Sequence, residues 1–348
     1  MNKKIIITTL AVILITIAIG FTVSQSKNNN GEIYLYGEMH AITPILDKEA
    51  ELWKQYYHEQ GMRHLFIEDS YAGAELLNVW MQSDNDKILD KLWDGYGNSL
   101  AKLPQCKEFV KKIKQECPKT IFHGTDIEFN YDTTGEWFLE YLREQGQENS
   151  EKYKLTQQNI EQGKYYRNHP DDVYRENSMA ENFQKAFEKL GNESIMGIYG
   201  GAHTGIGDKN YETGTVPNMA SQINAKYKGR VYTEDLSKNY DWDTPWTEEY
   251  IHINEKQYKA DYFGEHLTDV EGEMYNTFEI WQLKEGAEDF ESMPLGEEKN
   301  IYPWTVYYGK IWVIDYNVNG EFTERKLYRS DSQQMSDGTI AVREILIE

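Results

Sequence analysis

Two stretches of this chain deliver a histidine just after a glycine, and the acids that could work with them lie between. Gly37-Glu38-Met39-His40 follows the run Glu32-Ile33-Tyr34-Leu35-Tyr36, and Gly200-Gly201-Ala202-His203 follows Ser194-Ile195-Met196-Gly197-Ile198-Tyr199. Short apolar and aromatic runs of this kind read as buried strands. Each histidine then arrives at a strand's C-terminal tip, where open α/β sheets place their ligands. Gly37 is expected to provide the sharp turn that ends its strand. A third match, Gly61-Met62-Arg63-His64, precedes its strand and is set aside. Two further tips carry acids: Glu68-Asp69 after Arg63 to Ile67, and Asp126 after the strand Lys119 to His123.

A rim that gathers imidazoles and carboxylates supports two chemistries. In one, His40, Glu68, His203 and Asp126 hold a divalent metal ion of unspecified identity, whose bound water loses its proton near neutral pH. In the other no metal takes part, and a histidine draws the proton from water while a carboxylate orients the ring. The catalytic candidates are His40, Glu68, His203, Arg175 and Glu38. Each has a plainer reading. Either histidine could be satisfied by backbone carbonyls, Glu68 could cap the next helix, and Asp126 could serve an Asx turn after Gly124. His123 reads as scaffold facing away, and His58, His169, His252 and His266 as surface residues.

Arg175 stands on a helix read from Tyr174 to Phe183, sharing a face with Met179 and Asn182 at i, i+4 and i+7. Burying an arginine and an asparagine on an apolar stripe costs free energy unless they are paired. The guanidinium either snorkels to solvent or aims at the site's carboxylates or an anionic transition state.

Strands and helices must alternate to position these residues. Residues 44–60 read as an amphipathic helix opened by Thr43-Pro44, with Ile45, Leu46, Leu52, Trp53 and Tyr56 on its apolar side. Further helices are expected around 72–82, 84–94 and 105–117, across the polar segment 134–165, and from an Asp171 or Asp172 cap to Leu190. Gly229 to Glu234 reads as a fifth strand. The alternation predicts an α/β domain over 32–240, with a mostly parallel sheet flanked by helices. Beyond 240 the texture turns aromatic and turn-broken, and Asn319-Gly320 signals a hairpin. Residues 241–348 therefore read as a smaller antiparallel β domain.

At the N-terminus, Met1-Asn2-Lys3-Lys4 precedes the uncharged run Ile5 to Val23, about 28 Å long as a helix and close to a bilayer core. Residues 1–26 read as a signal peptide or membrane anchor, with Lys3 and Lys4 inside and the rest exported; 27–31 is a linker. The net charge of −22 argues against nucleic acid and against an anionic membrane surface, leaving the N-terminal segment as the membrane contact. Cys106 and Cys117 sit about 16 Å apart along one helix, too far for a disulfide.

In order, Gly37-Glu38-Met39-His40, Glu68, Gly124-Thr125-Asp126, the Arg175 to Phe183 helix and Gly200-Gly201-Ala202-His203-Thr204-Gly205 resemble the TraB/TIKI (PrgY/GumN-like) family. Its relatives are the erythromycin esterases and the ChaN haem-binding proteins. The motifs span residues 32–235, about 60% of the chain. The resemblance implies an α/β domain and a metal-assisted hydrolase, with His40, Glu68 and His203 at metal or catalytic positions and Arg175 as the helix arginine. The Met-Ala-x-Asn run at 179–182 leans toward the esterases. The expectation is an exported hydrolase acting on a peptide or small-molecule ester. The alternative is a surface protein that captures haem, a metal or a peptide in the same pocket without turnover. Substrate and oligomeric state are not written in these residues.

Overall fold

Five strands form the sheet that carries the site. They are β1 (Ile33–Glu38), β2 (His64–Ser70), β3 (Ile121–Asp126), β4 (Ile195–Gly200) and β5 (Val231–Asp235), all parallel in the order β3-β2-β4-β1-β5. The computed structural model describes residues 31–346, apart from 98–99, 239, 242, 272–273, 300–308, 319 and 335–339. The expected N-terminal segment lies outside these residues. Among the described residues, no helix is long and apolar enough to cross a membrane.

Period-2 alternation sorts the strand side chains to two faces. Tyr34 and Tyr36 of β1 and Met196 and Ile198 of β4 join one core, with Trp53 and Trp80. Ile33 and Leu35 of β1 and Ile195 and Tyr199 of β4 join the other, with Met179 and Phe183. Helices cover both faces, as an all-parallel sheet requires. The first core is covered by α1 (Thr43–Glu59), α2 (Tyr71–Met81), α3 (Lys87–Gly95), α4 (Pro104–Glu116) and α5 (Glu136–Glu144). Then come α6 (Glu151–Asn168), α7 (Asp172–Glu188) and α8 (Met219–Lys226), of which α7 and α8 cover the second core.

Several boundaries differ from the sequence reading. β2 and β3 run on through Ser70 and Asp126, so Glu68, Asp69 and Asp126 belong to the strands themselves. The polar 134–165 segment is two helices: α5 ends before Gly146, held at φ +67°, and Ser150 caps α6 by accepting from the Tyr153 N–H. Asp171 caps α7 by accepting from the Val173 and Tyr174 N–H groups.

The remaining strands make a separate seven-stranded antiparallel sheet. These are β6 (Thr247–Ile253), β7 (Lys256–Glu271), β8 (Met274–Leu283), β9 (Leu295–Lys299), β10 (Ile311–Val318), β11 (Glu321–Gln334) and β12 (Ile340–Ile345), ordered β6-β7-β8-β10-β11-β12-β9. Val318 pairs with Glu321, so the chain reverses between them with Gly320 at φ +79°, while Asn319 of the expected hairpin signal lies outside the described residues. Both sheets lie within one compact unit, and Trp246 links them. Its ring packs on the first core and fills the space beside Gly264, where a Cβ would meet it at 2.3 Å. Gly264 lies at φ +96° inside a register shift of β7, and such a bulge re-aims the side chains that follow it.

Candidate active site at the rim of the parallel sheet

β1 and β4 are direct neighbours, with Glu38 opposite Gly200. Their two histidines therefore leave the sheet side by side. His203 sits on a single 3-10 turn, Gly201–His203, that follows β4 at once. His40 lies in the turn before α1, and the residue forced into the left-handed region there is Ala41, at φ 61°. The sequence reading gave that work to Gly37, which stays within the strand. Gly37 is needed for close approach instead, since a Cβ there would meet Thr204 Oγ1 at 2.4 Å. The Ala41 carbonyl is pinned by the Gln105 side-chain amide at 3.0 Å.

Both imidazoles face Glu68. His40 Nε2 is 3.9 Å from Glu68 Oε2 and His203 Nε2 is 3.5 Å from Oε1. Each ring is fixed from behind by its own carboxylate: His40 Nδ1 lies 2.7 Å from Glu38 Oε1, and His203 Nδ1 lies 2.9 Å from Glu176 Oε2. Such a bond sets the tautomer and turns Nε2 toward the cleft. Gly200 gives the rings room, since a Cβ there would come within 3.0 Å of His40 Nε2. Its N–H donates to Glu68 Oε2 at 2.6 Å.

Arg175 completes the cluster. Its Nη2 donates to Glu68 Oε1 and Asp126 Oδ2, each at 2.6 Å, and its Nε donates to Asp126 at 3.2 Å. The ring of Phe129 lies under the guanidinium. Asn182 is also paired, donating to the Thr125 carbonyl and to Gln162, so both polar residues of that helix stripe are satisfied. Met179 belongs to the core.

The charges set one another. Burial disfavours the Glu68 carboxylate, but His203, His40, Arg175 and the Gly200 N–H outweigh it and bring its pKa to about 2. Burial also disfavours the His40 imidazolium, yet the Glu38 hydrogen bond and the Glu68 charge raise that pKa to about 9. The His203 pKa is raised against burial by Glu176 and Glu68, and the Glu176 pKa is lowered against burial chiefly by His203. Opposite charges thus alternate along Glu38, His40, Glu68, His203 and Glu176, with Arg175 clamped against the centre.

The proposed metal set does not fit this arrangement. Asp126 faces Arg175 and the Ile127 N–H, with no histidine beside it. Glu68 already accepts from Arg175 at Oε1 and from the Gly200 N–H at Oε2, so both of its oxygens are committed. Among the described residues, no group of three or more His, Cys, Asp or Glu side chains is placed to hold a metal ion.

Other histidines sort as follows. His123 turns to the opposite face, 2.9 Å from His64 and stacked on Phe66. His58, His169 and His252 are exposed. His266 departs from the surface expectation: it is half-buried and, with Glu265, lines one wall of a cleft of about 950 Å³ that opens onto His40, Glu68 and His203. The bulge in β7 puts both residues there.

Two acids escaped the sequence reading. Glu176 is buried on α7 and accepts from His203, Asn210 and the Met219 N–H. Glu49 is fully buried on α1, and burial together with the charge of Glu38 raises its pKa well above the carboxylate range. Among the described residues, no hydrogen-bond donor reaches Glu38 Oε2 or either Glu49 oxygen. The signal was present in both cases. Glu49 falls four residues from both Ile45 and Trp53, and Glu176 falls three and seven before Met179 and Phe183, so each is an acid on an apolar stripe.

No protein-family model matches the chain, and no curated protein does. Solved structures similar to it include a Bacillus cereus protein, at 15% identity and TM-score 0.40 over 60% of this chain and 67% of that one. A variant of the erythromycin esterase EreC in its open conformation matches at 10% identity and TM-score 0.43, over 59% and 69%. A succinoglycan biosynthesis protein matches at 14% and 0.44, over 59% and 65%. At these identities none of them assigns a residue role or an activity to this chain, and the narrower TraB/TIKI resemblance has no family match beside it.

Proposed function

We propose that the chain is a hydrolase of an ester or peptide bond, with His40 as general base. The observation that carries this reading is the pair of imidazoles on Glu68, each with Nδ1 held by a separate carboxylate and Nε2 turned into the cleft. In its neutral form His40 Nε2 accepts a proton from water while the oxygen attacks the substrate carbonyl carbon. The His203 imidazolium, 3.5 Å from Glu68, stabilises the oxyanion and then gives its proton to the leaving oxygen or nitrogen as that bond breaks. Glu38 orients His40 and steadies the imidazolium that forms. Arg175 has its Nη2 and Nε hydrogens committed, so it holds Glu68 in place and the substrate oxyanion falls to His203. No step is routed through a metal. We place the activity outside the membrane, because Lys3 and Lys4 precede the uncharged run Ile5 to Val23.

The test is hydrolysis of a panel of p-nitrophenyl esters and fluorogenic peptides by the wild-type chain and by His40→Ala. The expected outcome is turnover of at least one substrate, lost in the variant while its circular dichroism shows the native fold. Equal turnover by both proteins rejects the assignment.

A further inference from the structure

The cleft holds more negative charge than its catalytic cluster balances. Within the cluster, the carboxylates of Glu38, Glu68 and Glu176 face the cationic groups of His40, His203 and Arg175. Four further acids from three separate elements line the same cleft. Asp172 opens α7, Asp208 and Glu212 stand on the loop that follows His203, and Glu265 comes from the β7 bulge. Among the described residues none of these four pairs with a lysine or arginine, whereas Glu75, Glu151 and Glu248 elsewhere on the surface do. Asp235, also on the cleft wall, is answered by Lys238 at 3.2 Å. Lys209 is then the lining lysine without a carboxylate partner. Four unanswered carboxylates against one unanswered ammonium leave three negative charges in surplus.

Two of these acids are oriented without being neutralised. Glu265 Oε1 accepts from the Thr277 hydroxyl at 2.6 Å, and Asp172 Oδ1 accepts from the Tyr166 hydroxyl at 2.9 Å. A neutral donor fixes a carboxylate and leaves its charge to act on the cleft. An aromatic ring stands beside them. Tyr211, between Lys209 and Glu212, lines the cleft and is 79% exposed. Its loop is tied down, since the Asn210 N–H donates to the Val216 carbonyl at 2.8 Å and the Gly214 N–H to the Asn210 carbonyl at 2.9 Å. The Asn210 side chain donates in turn to Glu176 at 3.0 Å. Carboxylates around an exposed ring face are the chemistry that receives an organic cation. The net charge of −22 acts in the same sense at long range, drawing cations in and repelling anions.

We infer that the outer cleft selects substrates carrying an ammonium group, with Glu212 and Glu265 as counter-charges and Tyr211 as the ring that covers the cation. The assignment deepens the hydrolase reading and rests on it for the identity of the occupant as a substrate. Binding itself needs no turnover.

The experiment is ligand-observed NMR with the full chain at pH 7, titrating benzyltrimethylammonium, benzyl alcohol and benzoate separately. The cation is expected to bind tightest and to weaken as ionic strength rises from about 10 to about 300 mM. Its Kd should weaken about three- to tenfold in Glu212→Gln/Glu265→Gln and about two- to fivefold in Tyr211→Ala. The same loss of charge away from the cleft, in Glu136→Gln/Glu161→Gln, should leave it unchanged. The inference is overturned if no probe binds, if the alcohol or benzoate binds as well as the cation, or if the two double variants behave alike. Turnover is read with a choline ester beside its neutral 3,3-dimethylbutyl isostere. Equal kcat/KM for the two sinks the charge selection and keeps the hydrolase; cation binding at the cleft with no substrate turned over sinks the hydrolase and keeps the binding site.

Discussion

The two halves of the site look alike and are supported differently. His203 is buried at 9% exposure, and its carboxylate partner Glu176 takes further hydrogen bonds from Asn210 and a backbone N–H. His40 is 38% exposed at the side chain, and its partner Glu38 is backed by a second carboxyl, Glu49. A ring locked in a saturated network keeps its charge and its place. A ring open to the cleft can exchange its proton with water. That contrast is why the base is assigned to His40 and the fixed positive charge to His203.

Removing what the halves share should have the largest effect. Arg175→Met leaves Asp126 buried without its counter-charge and takes from Glu68 one of its three, and the expected loss is about 3–5 kcal/mol of unfolding free energy, read by denaturant titration, along with activity. Arg175→Lys should recover only part of it, because an ammonium cannot span both carboxylates as the fork does. A loss below about 1 kcal/mol in Arg175→Met would mean the clamp is ornamental.

Separating the halves comes next. His40→Ala should cut kcat/KM by about 10²–10⁴ with the native fold kept, at a modest cost in melting temperature because Glu38 and Glu68 lose the imidazolium between them. His203→Ala should cost about 1–3 kcal/mol of stability, because the buried Glu176 loses its ring partner. If the two variants exchange these phenotypes, the roles are reversed.

Charge rather than position can then be altered. Because His40 must shed a proton while His203 keeps one, kcat/KM should pass through a bell-shaped maximum against pH, with the midpoint of one limb reporting His40 near 9. Glu38→Gln keeps an acceptor for Nδ1 and removes the charge, so the midpoint should move down toward the ordinary histidine value of about 6.5. Stability runs the other way. The carboxylates raise the folded-state pKa of His40 above its unfolded value, so their contribution is complete below about pH 6.5 and fades as the pH rises through about 9.

The smallest change is expected from Glu49→Gln, whose amide can donate to Glu38. Its pH profile should overlay the wild type, whereas Glu49→Leu should shift the profile, because it replaces the polar group buried beside Glu38 with hydrocarbon. Equal profiles for the leucine and glutamine variants would remove Glu49 from the account.

Much of this was legible in the chain because the site sits on strands whose apolar runs announce themselves. Ile33 to Tyr36 and Ile195 to Tyr199 marked the strands, and the residues just beyond them were bound to share a rim. What stayed hidden depended on helices and on the second sheet. Glu49 and Glu176 look like ordinary surface acids until α1 and α7 are rolled onto the sheet. His266 reached the cleft through a bulge at Gly264 that period-2 counting does not see. The metal expectation was drawn from donor types alone, which do not reveal that the Arg175 guanidinium stands among them.

Nitrogen-15 imidazole NMR across pH 6 to 11, on the wild-type chain and Glu38→Gln, bears most directly on the pairing of each histidine with its own carboxylate. The account requires His40 to titrate near 9 in the wild type, and to fall toward 6.5 in Glu38→Gln while His203 stays where it was. A wild-type His40 that titrates at the ordinary value, or a Glu38→Gln change that moves both rings together, would contradict it.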